Sequence, residues 1–156
     1  MTQPQDDPST LHYVAGIDRQ SGALAWQDVD GVRKFWLVTS RRTQRWVLPK
    51  GSIDPGMTAP EAAAQEAFEE AGLLGEMSEA AVGSYCVPKI RPPLIWAVEV
   101  FLFPMRVAEV QPEWLEQDQR VRRLVSIDEA ADLILEPEIV DLVMGALPDL
   151  HSASYQ

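Results

Sequence analysis

Three carboxylates recur at a spacing that suits metal chemistry. Glu66, Glu69 and Glu70 stand at i, i+3 and i+4, and on a helix, at about 100° per residue, they fall within roughly a 100° arc. Like charges so placed repel, by about 0.2–0.5 kcal/mol per neighbouring pair. A solvated acidic face is one reading of such a stripe. Against it, no lysine or arginine occurs from Gly51 to Ser84, and a Gly/Pro-rich loop leads into the segment. Hard divalent cations take oxygen ligands of this kind, and Mg²⁺ held by a few carboxylates commonly completes its shell with substrate phosphates.

The elements that must position these carboxylates lie between Trp46 and Leu73. The stretch reads as a strand end, a loop and a helix. Pro49, Gly51, Pro55 and Gly56 are residues that fix or free the backbone where a chain turns tightly. Thr58 is an N-cap candidate, with Pro60 in the tolerant first turn and Glu61 three residues on, the spacing of a capping box. An Ala-rich run of high helix propensity follows and stops at Gly72, a C′ glycine. Pro60, Ala64, Ala67, Phe68 and Ala71 occupy a separate arc, which is the expected core-facing side. Immediately upstream, RRTQRW sets Arg41, Arg42 and Arg45 in a loop. A basic loop beside an acidic site is what a polyphosphate ligand needs, because guanidinium forks match phosphate oxygens; a solvated turn is the plainer reading of the same residues.

Gly51, Glu66, Glu69, Glu70, Gly72 and Leu73, with Ala67 at a small apolar position, resemble the Nudix box, G-x5-E-x7-R-E-U-x-E-E-x-G-U, over 23 residues. The lead-in WVLPKG is similar to that family's strand-to-loop approach. Two positions depart: Met57 stands where the box has its first Glu, and Gln65 where it has Arg. The lost residues are oppositely charged. Removing both members of an ion pair is mild, whereas removing one strands a charge, so the two changes read as a matched replacement of a supporting interaction. The resemblance implies an α+β chain with the Nudix fold, an α/β/α sandwich around a mixed sheet, and metal-assisted hydrolysis of a phosphoanhydride bond. It implies Mg²⁺ or Mn²⁺ held by the Gly51 carbonyl, Glu66, Glu69 and Glu70, with Glu69, Glu70 and Glu116 as catalytic candidates. Glu113 stands behind Glu116 as the carboxylate outside the box. Arg41, Arg42, Arg45 and Lys50 are the expected phosphate-binding residues. The substrate expected is a small phosphorylated molecule. The branch that hydrolyses diphosphoinositol or diadenosine polyphosphates is the most similar in look, with nucleotide sugars, dinucleotides and nucleoside triphosphates open. The other class of reading is a Nudix-fold module that binds a nucleotide without cleaving it.

The rest of the chain frames these residues. A length of 156 residues suits one domain with a sizeable core, expected over 11–150 between a disordered lead at 1–10 and a flexible tail at 151–156. A net charge of −11 argues against generic nucleic-acid binding or an anionic membrane surface. The lone Cys86 excludes an internal disulfide and reads as a small buried residue. The polar N-terminus and the lack of a membrane-length apolar run point to a cytoplasmic protein. Tyr13–Ile17 is a strand candidate, and Ala23–Val29 and Arg33–Ser40 flank Asp30-Gly31, a hairpin signal. The nearly continuously apolar KFWLVTS is expected to be central in the sheet. Strands are expected over Ala81–Pro88 and Leu94–Met105, joined by KIRPP, whose prolines bar a regular ladder. Within the latter, Glu99 faces either the metal site or, as the favoured reading, the solvent side, and Lys89 and Arg91 of the joining segment are further phosphate candidates. The stretch 109–120 reads as an acidic loop or a one-turn helix. It is followed by the strand VRRLVS, a helix over Asp128–Leu135 capped by Ser126 or Asp128, and a last helix from Glu138 to Leu147. Ala130, Leu133 and Ile134, and Ile139, Leu142 and Val143, are core stripes. His12 and His151 are expected at the surface.

Overall fold

The computed structural model describes residues 12–150 of the chain, with side chains from Ile17 onward. The expected lead at 1–10, the tail at 151–156 and the side chains of His12 and His151 lie outside the described residues. The spine is a parallel pair of long strands, β1 (His12–Val29) and β7 (Leu94–Val110). Around them the mixed sheet runs in the order β3 (Trp46–Val47), β2 (Val32–Thr39), β1, β7, β5 (Leu73–Met77). Three antiparallel additions complete it: β4 (Lys50–Ser52) on β1, β6 (Gly83–Arg91) on β7, and β8 (Arg122–Ser126) on β2.

The hairpin read from Asp30-Gly31 is present. Both residues take positive φ, 52° and 79°, the geometry that matches strand twist in a two-residue turn. The two apolar segments expected around residue 20 form one strand, with a register shift between Tyr13 and Ile17. The polar stretch at 18–22 stays extended because it is paired on both sides, with β4 and β7. KFWLVTS is internal, held between β1 and β8. KIRPP does not interrupt the ladder as expected. Lys89, Ile90 and Arg91 pair with Trp96, Ile95 and Leu94, and the turn is confined to the cis-linked Pro92-Pro93. Glu99 lies on the outer side of β7 and accepts a 2.7 Å hydrogen bond from Ser84 Oγ.

The alternation of β1 divides the core into two layers. Leu24 and Trp26 join Phe35, Leu37 and Val125 beneath α2 (Ile127–Leu133) and α3 (Pro137–Ala146). Ala23 and Ala25 face the opposite side and meet Ala63, Ala67 and Ala71 of α1 (Ala59–Ala71). Small residues on both partners let α1 sit close to the sheet, so its carboxylates reach the strand ends. The apolar stripe of α1 therefore runs through 63, 67 and 71, and Phe68, expected in the core, is 44 % exposed. Ala130, Ile134, Ile139 and Val143 are buried as expected, with Leu133 and Leu142 packed against them. Cys86, expected to be buried, is exposed because β6 turns that side outward. Ser126, not Asp128, caps α2, through a reciprocal box with Glu129 at 3.2 Å each way. Among the described residues no helix is long and apolar enough to cross a membrane.

Gly72 ends α1 in the left-handed region, at φ 68°. A Cβ there would lie 2.9 Å from Trp114 Cβ. Gly72→Ala is expected to cost about 1–2 kcal/mol, read as a lower urea midpoint at unchanged slope; an unchanged midpoint would contradict this account of the helix end.

Candidate functional site

The site lies where the last two turns of α1 meet β4 and the segment between β7 and β8. Thr58 caps α1, its hydroxyl accepting from Glu61 N at 3.3 Å, and Pro60 fills the first turn. The carboxylates then project toward Gly51 on β4, which pairs with Ser21 on β1. The bare backbone at Gly51 leaves the Glu66 carboxyl its present place: a Cβ there would stand 2.3 Å from Glu66 Cδ, so the end of that side chain would have to shift. Beside this cradle Ser21 is fully buried and its Oγ has no hydrogen-bond partner.

Glu70 is 2 % exposed. Its Oε1 accepts from Lys50 N at 3.2 Å, and its Oε2 lies 3.4 Å from Arg120 Nη2. Burial pushes its carboxyl up to about 8, with Glu66 and Glu116 adding to the rise and Arg120 and the Lys50 N–H opposing it. Burial also raises Glu66, reinforced by repulsion from Glu69, Glu116 and Asp54. Lys50 is drawn down to about 8, chiefly by burial and then by Lys89, against the pull of Glu70; its Nζ donates to Gln20 Oε1 at 3.3 Å.

Arg120 threads through the carboxylates. Its Nε donates to Glu116 Oε1 at 2.8 Å and its Nη1 to the Thr39 carbonyl at 3.0 Å. Glu69 accepts from Gln65 Nε2 at 3.0 Å, so the residue at the box's arginine position supplies a neutral donor. With the carboxylates held in this way, no three acidic, histidine or cysteine side chains among the described residues converge on one point as an ion would require. The donor set nevertheless suits a hard divalent cation. It offers oxygens only, in excess negative charge, beside a cradle shaped by the missing Gly51 side chain and an unpartnered buried hydroxyl.

Of the residues singled out in the sequence, Arg41, Arg42, Arg45, Lys50, Gly51, Glu66, Glu70 and Glu116 line one cleft of about 970 Å³. Glu69 is on the helix turn below it, Glu113 is exposed and apart, and Arg91 lies outside while Lys89 lies within. Arg41 donates to Gln119 at 3.3 Å, and Arg45 is paired with Glu136. Sequence reading missed Arg120 as a cleft residue, although its position four after Glu116 is the spacing of an ion pair on one helical turn. It also missed Gln20, Asp54 and Glu136, which carry no local signal and arrive by topology.

A family model for the NUDIX domain matches residues 18–143. The chain belongs to the Nudix family. Relatives include Nudix hydrolase 4 of Arabidopsis thaliana, 32% identical over 111 residues and covering 69% of this chain and 52% of that protein. Another is Nudix hydrolase 12, mitochondrial, of the same plant, 31% identical over 111 residues, with 67% and 55% covered. The chain thus spans about half the length of the curated relatives it matches. Among solved structures, a Caenorhabditis elegans Ap4A hydrolase aligns with a TM-score of 0.65 at 18% identity, covering 87% of this chain and 100% of that one. A NUDIX hydrolase from Nitrosomonas europaea aligns at 0.66 and 20%, with 87% and 92% covered. These likenesses show the Nudix fold, an α+β sandwich with a mixed sheet. Members of the family generally use divalent metals.

The raised Glu70 gives a pH test. A carboxyl with a folded pKa above its unfolded value of about 4.5 favours the fold most when both states are protonated. That contribution falls as pH rises from there to about 8. In metal-free protein, Glu70→Gln should therefore melt above the native chain at pH 8 and approach it at pH 5, measured by thermal denaturation in chelator. A gap that widens toward pH 5 would contradict the burial assigned to Glu70.

Proposed function

We propose that this chain is a Nudix hydrolase that cleaves a phosphoanhydride bond in a small polyphosphorylated molecule. The observation that supports this reading best is the charge layout of the cleft. Six cationic side chains, Arg41, Arg42, Arg45, Lys50, Lys89 and Arg120, line it in a chain with only 13 lysines and arginines and a net charge of −11. Six carboxylates line it as well: Glu66 and Glu70 on α1, with Asp54 and Glu116, and Glu136 and Glu138 at the start of α3, where Glu136 holds Arg45. The arginine loop and Lys50 beside the α1 carboxylates suit a phosphate chain that reaches the site from the basic loop.

Gly51, Glu66, Glu69 and Glu70 are the residues that would hold a divalent cation, Mg²⁺ or Mn²⁺. Such an ion supplies Lewis acidity toward phosphoryl oxygens and toward water. The chain's own groups do the rest. Arg41, Arg42 and Lys50 bind successive phosphates and fix the scissile bond, and positioning with charge stabilisation is most of what phosphoryl transfer asks of a protein. Lys89 narrows the opposite wall. Glu116, opposite Glu70, accepts the proton of the attacking water, and Arg120 steadies the carboxylate before and after transfer. Arg41 and Arg42 of the basic loop, together with Lys50 and Lys89 in the same cleft, support substrates with several phosphates, such as diadenosine or diphosphoinositol polyphosphates, over singly linked nucleotide sugars.

The test is product release from a panel of diadenosine polyphosphates, diphosphoinositol polyphosphates, nucleotide sugars and nucleoside triphosphates with Mg²⁺ or Mn²⁺. Native protein should turn over a polyphosphate fastest, with activity abolished by EDTA and lowered at least about a hundredfold by Glu70→Gln. Saturable binding with no turnover of any compound would instead make the chain a nucleotide-binding module, with Met57 and Gln65 as marks of lost catalysis.

A further inference from the structure

The helix that carries the site is capped from outside itself. The last carbonyls of an α-helix lack donors within the helix, and α1 has no basic residue in its final turn. Its end is instead met by the segment between β7 and β8. Gln111 N donates to Gly72 O at 2.8 Å, Glu116 N to Glu69 O at 3.0 Å, and Arg122 Nη1 to Ala71 O at 2.8 Å. The Arg122 guanidinium also lies over the Trp114 ring, 3.8 Å from its centroid, with Trp36 of the sheet at 5.7 Å. A cation at this helix end is further favoured by the helix dipole. Gly72 leaves room for Trp114 to pass. Between these ties the chain delivers Glu116 and Arg120 to the cleft.

We propose that Trp114 and Arg122 are positioning residues: their stack on the end of α1 sets where Glu116 stands opposite Glu70. They act on turnover through Glu116 alone. The proposal rests on the reading of Glu116 as proton acceptor. The physical reason is rigidity. Glu116 sits on a connecting segment rather than a helix or strand, and its backbone tie is to Glu69, one residue from Glu70 in the same turn. A flat ring clamped under a planar cation allows that tie one register. A stack that only stabilised the fold would change the melting temperature and leave the kinetics of the folded molecules as they were.

The experiment is a double-mutant cycle with diadenosine tetraphosphate and Mg²⁺, or with whichever compound of the panel the native chain turns over fastest. The proteins are native, Trp114→Ala, Trp114→Phe, Arg122→Lys, Glu116→Gln, and each of the three Trp114 and Arg122 variants combined with Glu116→Gln. Trp114→Ala and Arg122→Lys should lower kcat about tenfold while changing KM less than about twofold. Trp114→Phe, which keeps a ring under the cation, should retain most of the activity. In the Glu116→Gln background none of the three should add more than about a twofold loss. A tenfold loss that persists in that background overturns the proposal, as does native kcat in folded Trp114→Ala. Native kcat in Glu116→Gln alone would instead overturn the role given to Glu116, and the clamp with it. Should Trp114→Ala fail to fold, Arg122→Lys carries the same cycle.

Discussion

Everything in this molecule is arranged around carboxylates that burial makes uncomfortable. Glu70 is almost fully enclosed and Glu66 half enclosed beside it, and both are pushed toward the protonated form by loss of water and by neighbouring carboxylates, Glu116 among them in each case. A buried charge without partners costs more than a small domain can spare. The chain meets that cost with one guanidinium, one backbone N–H and a partly discharged lysine. None of these is an ideal fit: the Arg120 contact to Glu70 is long, and Arg120 is shared with Glu116 and Thr39. The negative charge of the site is only partly answered, and that state is built by the fold rather than by any one residue.

Two features of packing create it. The alanine-on-alanine contact between α1 and β1 brings the helix near enough for its glutamates to reach the strand ends. The bare backbone at Gly51 then leaves the Glu66 carboxyl a place to lie. Larger side chains at either contact would lift the helix or fill the cradle. The segment after β7 closes the arrangement by capping α1 while carrying its own carboxylate and counter-cation inward. Within the site, Gln65 holds Glu69 on the helix, and Arg120 reaches Glu70 and Glu116 from across the cleft.

Local signals carried much of this in the sequence. The Asp30-Gly31 turn, the Thr58 and Ser126 caps, the Gly72 stop and the glutamate stripe each depend on residues within a turn or two, and each stands where the pattern puts it. The failures share a cause as well. Polar residues 18–22 read as a break yet are extended, because partners on two other strands hold them there. The helical arc puts Phe68 in the core and residue type puts Cys86 there, and tertiary packing turns each outward. Arg120 looked like a strand lead-in, since nothing nearby in sequence reveals that Glu70, fifty residues earlier, lies beside it. Pairings across long sequence separations were illegible, and the contact of Arg120 with Glu70 is of that kind.

The most direct test of the central claim is calorimetric titration of Mn²⁺ into the native chain and into Gly51→Ala at pH 7.5. The account predicts saturable binding by the native chain. It predicts binding at least about tenfold weaker in the variant, for loss of a well-placed carboxylate ligand, with the circular dichroism spectrum of the fold unchanged. Equal affinity in the two proteins, or no binding by the native chain, would contradict the claim that the cradle opposite Glu66 is shaped for a divalent cation.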